Sequence, residues 1–303
     1  MNLLFIGGDM RYIKIIQDLK DKNNIKTIGY DDIIFANVEK FDINKDDISN
    51  IDIIVLPING IKEDYSVDSM FSKNKVNIPK DLFYKCKDKT QIFTGKINST
   101  LESMINDNIV VNNLLDDYDV KRGNSLITVE GIIENLMNNR DGKTIYNSNI
   151  VVLGYGNIGK PLVYVLNHLG ANLKVGVKEY EDYIALFKSR IGAFDTSITS
   201  DMEDNIINAD IIINTVPKHV IPTTIIDRIN DNCYILDISS PPYGFDKNDV
   251  KKKNYFIYSK IPSKYSPVSS GMLLEKKIKS ISGGILWKLD FVWHLLFVPW
   301  KLH

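Results

Sequence analysis

Cysteine is scarce. The 303 residues hold only Cys86 and Cys233, too few and too far apart for a disulfide framework or a zinc site. A reducing compartment is the expectation. Histidine is nearly as rare, with four residues, and no metal-ligand spacing joins them to acids or thiols, so no metal is expected. Charge of one sign is missing too. Lys and Arg number 37, Asp and Glu 38, and the net charge is -1. No global field draws the chain to nucleic acid or to an anionic membrane. There is no uninterrupted apolar run of membrane-spanning length. Residues 284–303, GILWKLDFVWHLLFVPWKLH, hold all three tryptophans but are broken by Lys288, Asp290, His294 and Pro299. They are expected to dock on the protein or a partner as an amphipathic helix, with interfacial membrane binding as the alternative. The start, Met1-Asn2-Leu3-Leu4-Phe5-Ile6-Gly7-Gly8-Asp9, lacks the basic opening of a signal peptide, and a cytoplasmic location is expected. Neither a tandem repeat nor a low-complexity linker is visible.

What is present is an alternation of strand and helix signals. At 44% hydrophobic and 25% charged, the composition is that of a globular protein, and the length suits two domains. Residues 2–6 are an apolar strand ending at Gly7-Gly8, and 10–20 carry a helical pattern on Met10, Ile13, Ile16 and Leu19. Ile25–Tyr30, Ile51–Leu56 and Gln91–Thr94 read as further strands, and Ser99–Ile105 as a short helix. A polar stretch closes at Gly123-Asn124. A helix is expected over 126–140, with Ser125 and Thr128 as caps. The alternation then restarts, with strands at 150–153, 172–177, 210–214, 234–238 and 255–258 separated by helices at 158–169, 180–189 and 222–229. The expected fold is α/β: two Rossmann-like three-layer α/β/α domains with parallel sheets, linked by long helices around a cleft. Residues 1–125 form the first domain, joined by a returning helix at 268–282. Residues 126–267 form the second, and 283–303 the tail.

The most informative motif is Val151-Val152-Leu153-Gly154-Tyr155-Gly156-Asn157-Ile158-Gly159. An apolar strand precedes it, and a helix with Leu162, Val163, Val165, Leu166 and Leu169 follows. In that setting the glycines have separate tasks. Gly154 permits the tight turn, Gly156 admits the pyrophosphate to the backbone, and Gly159 lets helix pack on strand. The helix N-terminus offers N–H groups and partial positive charge to the phosphates. Gly154, Tyr155, Gly156, Asn157, Ile158 and Gly159 are therefore candidate cofactor residues. At the end of the next strand a NAD site usually carries an acid. Here Val177 stands in that place and Lys178 follows, which favours the 2′-phosphate of NADP. Glu179 keeps NAD open. Asn214-Thr215-Val216-Pro217 and Ile238-Ser239 end later strands, where small polar residues can meet the ribose and the carboxamide.

Several segments together resemble the A-subunit family of bacterial dipicolinate synthase, over residues 3–280. They are Ile6-Gly7-Gly8-Asp9-Met10-Arg11, Leu56-Pro57, Ile92-Phe93-Thr94-Gly95, Asn124-Ser125, Thr128-Val129-Glu130-Gly131, the glycine turn, Gly170–Gly176, Asn214–Pro217 and Leu236–Ser240. The resemblance implies NADP-linked oxidation of a dihydrodipicolinate-type intermediate of lysine synthesis to pyridine-2,6-dicarboxylate. It also implies that the flavoprotein-like B subunit of dipicolinate synthase is a partner, that the location is the mother cell of a sporulating bacterium, and that the protein is an oligomer. Two stretches depart from the family pattern. Pro241-Pro242-Tyr243-Gly244 has tyrosine where the family has glycine, and Ser259–Pro267 lacks the family's glycine-rich stretch.

A dicarboxylate needs positive charge and hydrogen-bond donors. Arg11 is the leading candidate, with Thr94, Gly95, Asn98, Ser125 and Thr128 at strand or helix ends. Aromatisation also releases a proton, for which Glu130 and His219 are the candidate bases. Two alternatives stand beside this reading: a generic two-domain NAD(P) dehydrogenase of 2-hydroxy or amino acids, and a non-catalytic NAD(P)-binding partner.

Overall fold

The computed structural model describes residues 1–139, 144–196, 199–251 and 253–283. The Trp-rich segment 284–303 and the Arg140-Asp141-Gly142 helix stop expected from the sequence lie outside these. The chain divides into two units, residues 1–123 with the segment from Pro267, and residues 124–266.

The first unit is built on one parallel six-stranded sheet. Its strands are β1 (Asn2–Ile6), β2 (Asn24–Ile28), β3 (Val38–Lys40), β4 (Ile53–Val55), β7 (Gln91–Thr94) and β8 (Val110–Asn113), in the order β3-β2-β1-β4-β7-β8. A small antiparallel pair, β5 (Ser66–Val67) and β6 (Val76–Asn77), belongs to the loop after β4. Leu3, Leu4, Phe5, Ile6, Ile53, Ile54 and Val55 are all buried. That is why these strands are unbroken apolar runs: a parallel sheet is covered on both faces. Helix α1 (Met10–Leu19) buries Tyr12, Ile15, Ile16 and Leu19, a stripe at i, i+3, i+4 and i+7, and leaves Met10 exposed. The expected stripe through Met10 and Ile13 is thus rotated. Tyr12 takes the inner place because its hydroxyl finds the Leu56 carbonyl, 3.0 Å away, which satisfies the one polar atom of an otherwise apolar ring. Helix α2 (Ser99–Glu102) is short. Helix α9 (Pro267–Ile281) returns to this unit and lies on α1, where a Cβ at Gly271 would come within 2.5 Å of the Arg11 carbonyl.

Helix α3 (Tyr118–Asn138) begins well before the expected start at 126. Gly123 lies inside it and stops nothing. A Cβ there would meet the Leu273 side chain of α9 at 2.8 Å, so this glycine serves close packing. Ser125 and Thr128 are accordingly helix-interior residues and not caps, and the Thr128 hydroxyl donates to the Asn124 carbonyl one turn back (2.7 Å).

The second unit repeats the first unit's topology. Its strands are β9 (Asn149–Leu153), β10 (Asn172–Val177), β11 (Gly192–Asp195), β12 (Ile211–Asn214), β13 (Tyr234–Asp237) and β14 (Asn254–Ile257). They run parallel in the order β11-β10-β9-β12-β13-β14. This is the 3-2-1-4-5-6 order of a dinucleotide-binding fold, with the order reversing between β9 and β12. Helices α4 (Gly159–His168), α5 (Tyr180–Lys188), α6 (Thr199–Ile206), α7 (Thr223–Ile226) and α8 (Ile261–Tyr265) accompany it. One apolar cluster joins Leu162, Val163 and Leu166 of α4 and Ile132 and Leu136 of α3 to one sheet face. A second, with Phe194, Met202, Ile225 and Ile226, covers the other.

Candidate functional site

The glycine turn links β9 to α4 beside the switch point. Its three glycines meet three different surroundings. Gly154 has φ +95°, and a Cβ on it would strike Thr215 Oγ1 at 2.4 Å and Val216 at 2.8 Å. Gly159 faces the Gly154 carbonyl, which a Cβ would approach to 2.3 Å. Gly156 has nothing within 4 Å of its Cβ position. The outer two glycines therefore serve the protein's own packing, whereas the middle one leaves bare backbone facing open space. Helix α4 starts at Gly159, and Ile158 at its N-cap gives no side-chain cap. Among the described residues the N–H groups of Asn157, Ile158 and Gly159 have no acceptor. A pyrophosphate suits this cradle, because free N–H donors at a helix N-terminus favour an anion.

A groove of about 590 Å³ runs from this turn along the carboxyl ends of β10 and β12. Tyr155, Lys178, Val216 and His219 line it. Val177 is buried and Lys178 exposed, so the place of the usual acid is apolar and the next side chain is a lysine. Two residues the sequence reading passed over share the groove. Lys160 pairs with Asp182 of α5 at 3.2 Å and lies 5.3 Å over the Tyr155 ring. Its signal was its position directly after Gly159. Asp182 had none, because only the fold brings α5 to the turn.

The expected cofactor residues beyond the turn are placed differently from one another. Val216 faces the groove and Pro217 is exposed. Ile238 is buried in the apolar core. The side chains of Asn214, Thr215 and Ser239 are engaged inside the protein. Thr215 donates to the Leu153 carbonyl (2.8 Å), which ties β12 to the glycine turn. Asn214 bonds both N and O of Val216, at 3.2 and 2.9 Å. It also donates to Asp237 Oδ1 (3.0 Å), as does the Ser239 hydroxyl (2.7 Å). Asp237, fully buried at the end of β13, was not singled out from the sequence.

Of the two candidate bases, His219 is exposed on the groove. Glu130 lines a separate hollow of about 450 Å³ between α3, α4 and α8. The two are not brought together.

In the first unit, Gly7 and Gly8 have φ +64° and +126°, and Asp9 caps α1 by accepting from the Arg11 N–H (3.1 Å). The same carboxylate receives the Arg11 fork, Nε at 2.9 Å and Nη2 at 2.7 Å. Burial alone would lower the Arg11 pKa, but the Asp9 hydrogen bonds and charge outweigh it and raise it. Arg11 is thus a fixed cation at the carboxyl end of β1. Thr94, at the end of β7, is fully buried and bonds the Pro57 and Lys96 carbonyls at 3.3 and 3.2 Å. Gly95 lies against the Ile58 carbonyl, 2.6 Å from its Cβ position. Asn98 caps α2 through Leu101 N and donates to the Ile61 carbonyl (2.7 Å). These three shape the loops, and Arg11 is the candidate that brings charge. Ser125 and Thr128 belong to the second unit, both buried in α3.

The stretches 241–244 and 259–267 each hold a non-glycine residue with positive φ. Tyr243 has φ +71° and Lys260 φ +59°, the left-handed region that glycine enters freely and other residues at a cost. Among the described residues no group of His, Cys, Asp or Glu is arranged to hold a metal ion, and no helix is long and apolar enough to cross a membrane.

Two parallel sheets in the dinucleotide-binding order, with this turn in the second, define an oxidoreductase of the class that binds a nicotinamide cofactor. Residues 149–241 match the family model described as NADP oxidoreductase coenzyme F420-dependent, and residues 2–112 the one for the N-terminal domain of the dipicolinate synthase A subunit. The A subunit of dipicolinate synthase from Bacillus subtilis is 26% identical over 93% of this chain and 95% of its own. The solved A subunit from Bacillus halodurans superposes with a TM-score of 0.82 at 26% identity, covering 93% of this chain and 97% of that one. An L-alanine dehydrogenase, 12% identical with a TM-score of 0.57 over 96% of this chain and 92% of its own, shares the fold alone. Over nearly its whole length the chain is similar to the A subunit of dipicolinate synthase.

Proposed function

We propose that the protein is an NADP-linked dehydrogenase that oxidises a dihydrodipicolinate-type dihydropyridine to pyridine-2,6-dicarboxylate during endospore formation. The carrying observation is the relationship to the dipicolinate synthase A subunit over nearly the whole chain, which includes a glycine turn whose free backbone fits a dinucleotide. Bound NADP supplies the hydride acceptor. The chain's own work is to hold and orient. The N–H groups at 157–159 take the pyrophosphate, and Lys178 stands where a 2′-phosphate needs a cation. Arg11 supplies positive charge for a substrate carboxylate, which would share or take over the fork now held by Asp9. His219, on the groove and without a hydrogen-bond partner among the described residues, is the better placed proton acceptor. The resemblance also supports the flavoprotein-like B subunit of dipicolinate synthase in the role of partner, an oligomeric state, and a place in the mother-cell cytoplasm.

The test is to incubate the protein with the lysine-pathway intermediate and NADP, with and without the B subunit, and to follow the ultraviolet absorbance of dipicolinate. Product in either condition is expected. Protein that binds NADPH yet makes none in both would sink this reading, and turnover of simple 2-hydroxy or amino acids would favour the generic dehydrogenase.

A further inference from the structure

Asp237 is a fully buried carboxylate with no cation beside it. No Lys, Arg or His among the described residues pairs with it. Five groups donate to it instead. Oδ1 accepts from Ser239 N–H (3.0 Å), the Ser239 hydroxyl (2.7 Å) and Asn214 Nδ2 (3.0 Å). Oδ2 accepts from Gly244 N–H (2.7 Å) and the Tyr255 hydroxyl (3.1 Å). Three of the five are N–H groups that can only donate. The two carboxylate oxygens accept all five. The surroundings are shaped to this arrangement. A Cβ on Gly244 would come within 2.0 Å of Asn214 Nδ2, so the turn at 241–244 closes tightly over the network. The Tyr255 phenol is pushed up, first by burial and then by the neighbouring Asp237 charge.

A buried charge without a counter-charge is costly. Its place indicates what offsets the cost. Asp237 ends β13, one strand beyond β12 and two beyond the glycine turn. In this fold the half that begins with the glycine turn takes one mononucleotide, and the half containing β12–β14 takes the other, the nicotinamide side. The nicotinamide ring carries a positive charge when oxidised and none when reduced.

We propose that Asp237 biases the site towards the oxidised cofactor, a standing negative charge that the oxidised ring complements and the reduced ring does not. The inference rests on the nicotinamide reading of the groove. A standing charge attracts the oxidised ring and not the reduced one, so it shifts the ratio of their affinities by the Coulomb energy of that one pair. For an enzyme working in the oxidative direction, that bias favours the substrate form of the cofactor over the product form.

The test is equilibrium binding of NADP and NADPH to the full chain, free of any turnover. Wild type is expected to bind NADP at least as tightly as NADPH. Asp237→Asn, which keeps the shape and removes the charge, is expected to weaken NADP at least fivefold more than NADPH. Tyr255→Phe, which removes a donor and leaves the charge, should keep the wild-type ratio within twofold. Equal weakening of both forms in Asp237→Asn would mean a structural role only and overturn the proposal. So would wild type binding NADPH more than tenfold tighter, a result that decides the matter even if the variant does not fold. Wild type binding neither form would instead refute the cofactor reading itself.

Discussion

Gly156 and Gly159 are three residues apart in one turn, yet adding a methyl group to each should fail in opposite ways. At Gly156 the methyl meets nothing within 4 Å, and the backbone is not in the left-handed region. Gly156→Ala should therefore fold as well as wild type, with a gain of about 0.4–1 kcal/mol from a less flexible unfolded chain. The same methyl stands where a pyrophosphate would reach the N–H groups of the turn. Losing one charge-assisted hydrogen bond costs about 1.5–3 kcal/mol, a drop in NADPH affinity of roughly 10- to 100-fold. At Gly159 the methyl would stand 2.3 Å from the Gly154 carbonyl, well inside ordinary contact distance. Helix α4 must shift, and overpacking of this kind costs about 1–3 kcal/mol. Gly159→Ala should melt several degrees lower, with its cofactor affinity falling as a consequence. Thermal unfolding and NADPH titration of both variants separate the cases. Wild-type NADPH affinity in Gly156→Ala would refute the assignment of that open space to the phosphates. Wild-type melting in Gly159→Ala would refute the packing role.

Three further outcomes are expected. Lys178→Ala should lower NADPH affinity about five- to tenfold while leaving NADH unchanged, an exposed lysine against a phosphate being worth roughly 1 kcal/mol. An equal loss for both cofactors would remove Lys178 from the specificity argument. Arg11→Lys keeps the charge but loses the fork, so KM for the dicarboxylate should rise at least tenfold while the NADPH dissociation constant stays put. An unchanged KM would place the carboxylate elsewhere. Lys260→Gly should raise the melting temperature, because the left-handed backbone costs a lysine about 1–2 kcal/mol and glycine's extra unfolded freedom takes back about 0.5–1. A lower melting temperature would mean that the Lys260 side chain does more than its exposure suggests.

The central strands were legible because parallel sheets bury both faces. β1, β4, β9, β12 and β13 are written as apolar runs that need no partner to be recognised. Besides the two-residue strands β5 and β6, the strands that escaped are β3, β8 and β11, all edges of the two large sheets. Val38–Lys40 and Val110–Asn113 are largely exposed or half-buried, so neither carries a continuous apolar signal. The early start of α3 was hidden for a different reason. Gly123 reads as a stop in sequence, and only Leu273, 150 residues later, explains why a glycine is needed within the helix. The site divides the same way. The glycine turn declared itself because each glycine answers a local demand. Asp237 did not, since its five donors come from four separate positions in the chain. Nor did the internal use of Asn214, Thr215 and Ser239, since a polar residue at a strand end looks the same whether it faces a ligand or its own backbone. Tyr243 and Lys260 show a third case. Both hold a left-handed backbone without being glycine, so the residue type gives no sign of the shape.

The most direct measurement is the stoichiometry of the full reaction. Purified protein, supplied with the B subunit of dipicolinate synthase where required, is given the dihydropyridine dicarboxylate and NADP, and both NADPH and pyridine-2,6-dicarboxylate are followed by ultraviolet absorbance. The proposed function predicts that the two appear one for one, and that both appear several-fold more slowly with Gly156→Ala at cofactor concentrations that only just saturate the wild type. Dicarboxylate formed at a rate indifferent to NADP, or NADPH formed without it, would contradict the assignment of hydride transfer to this chain.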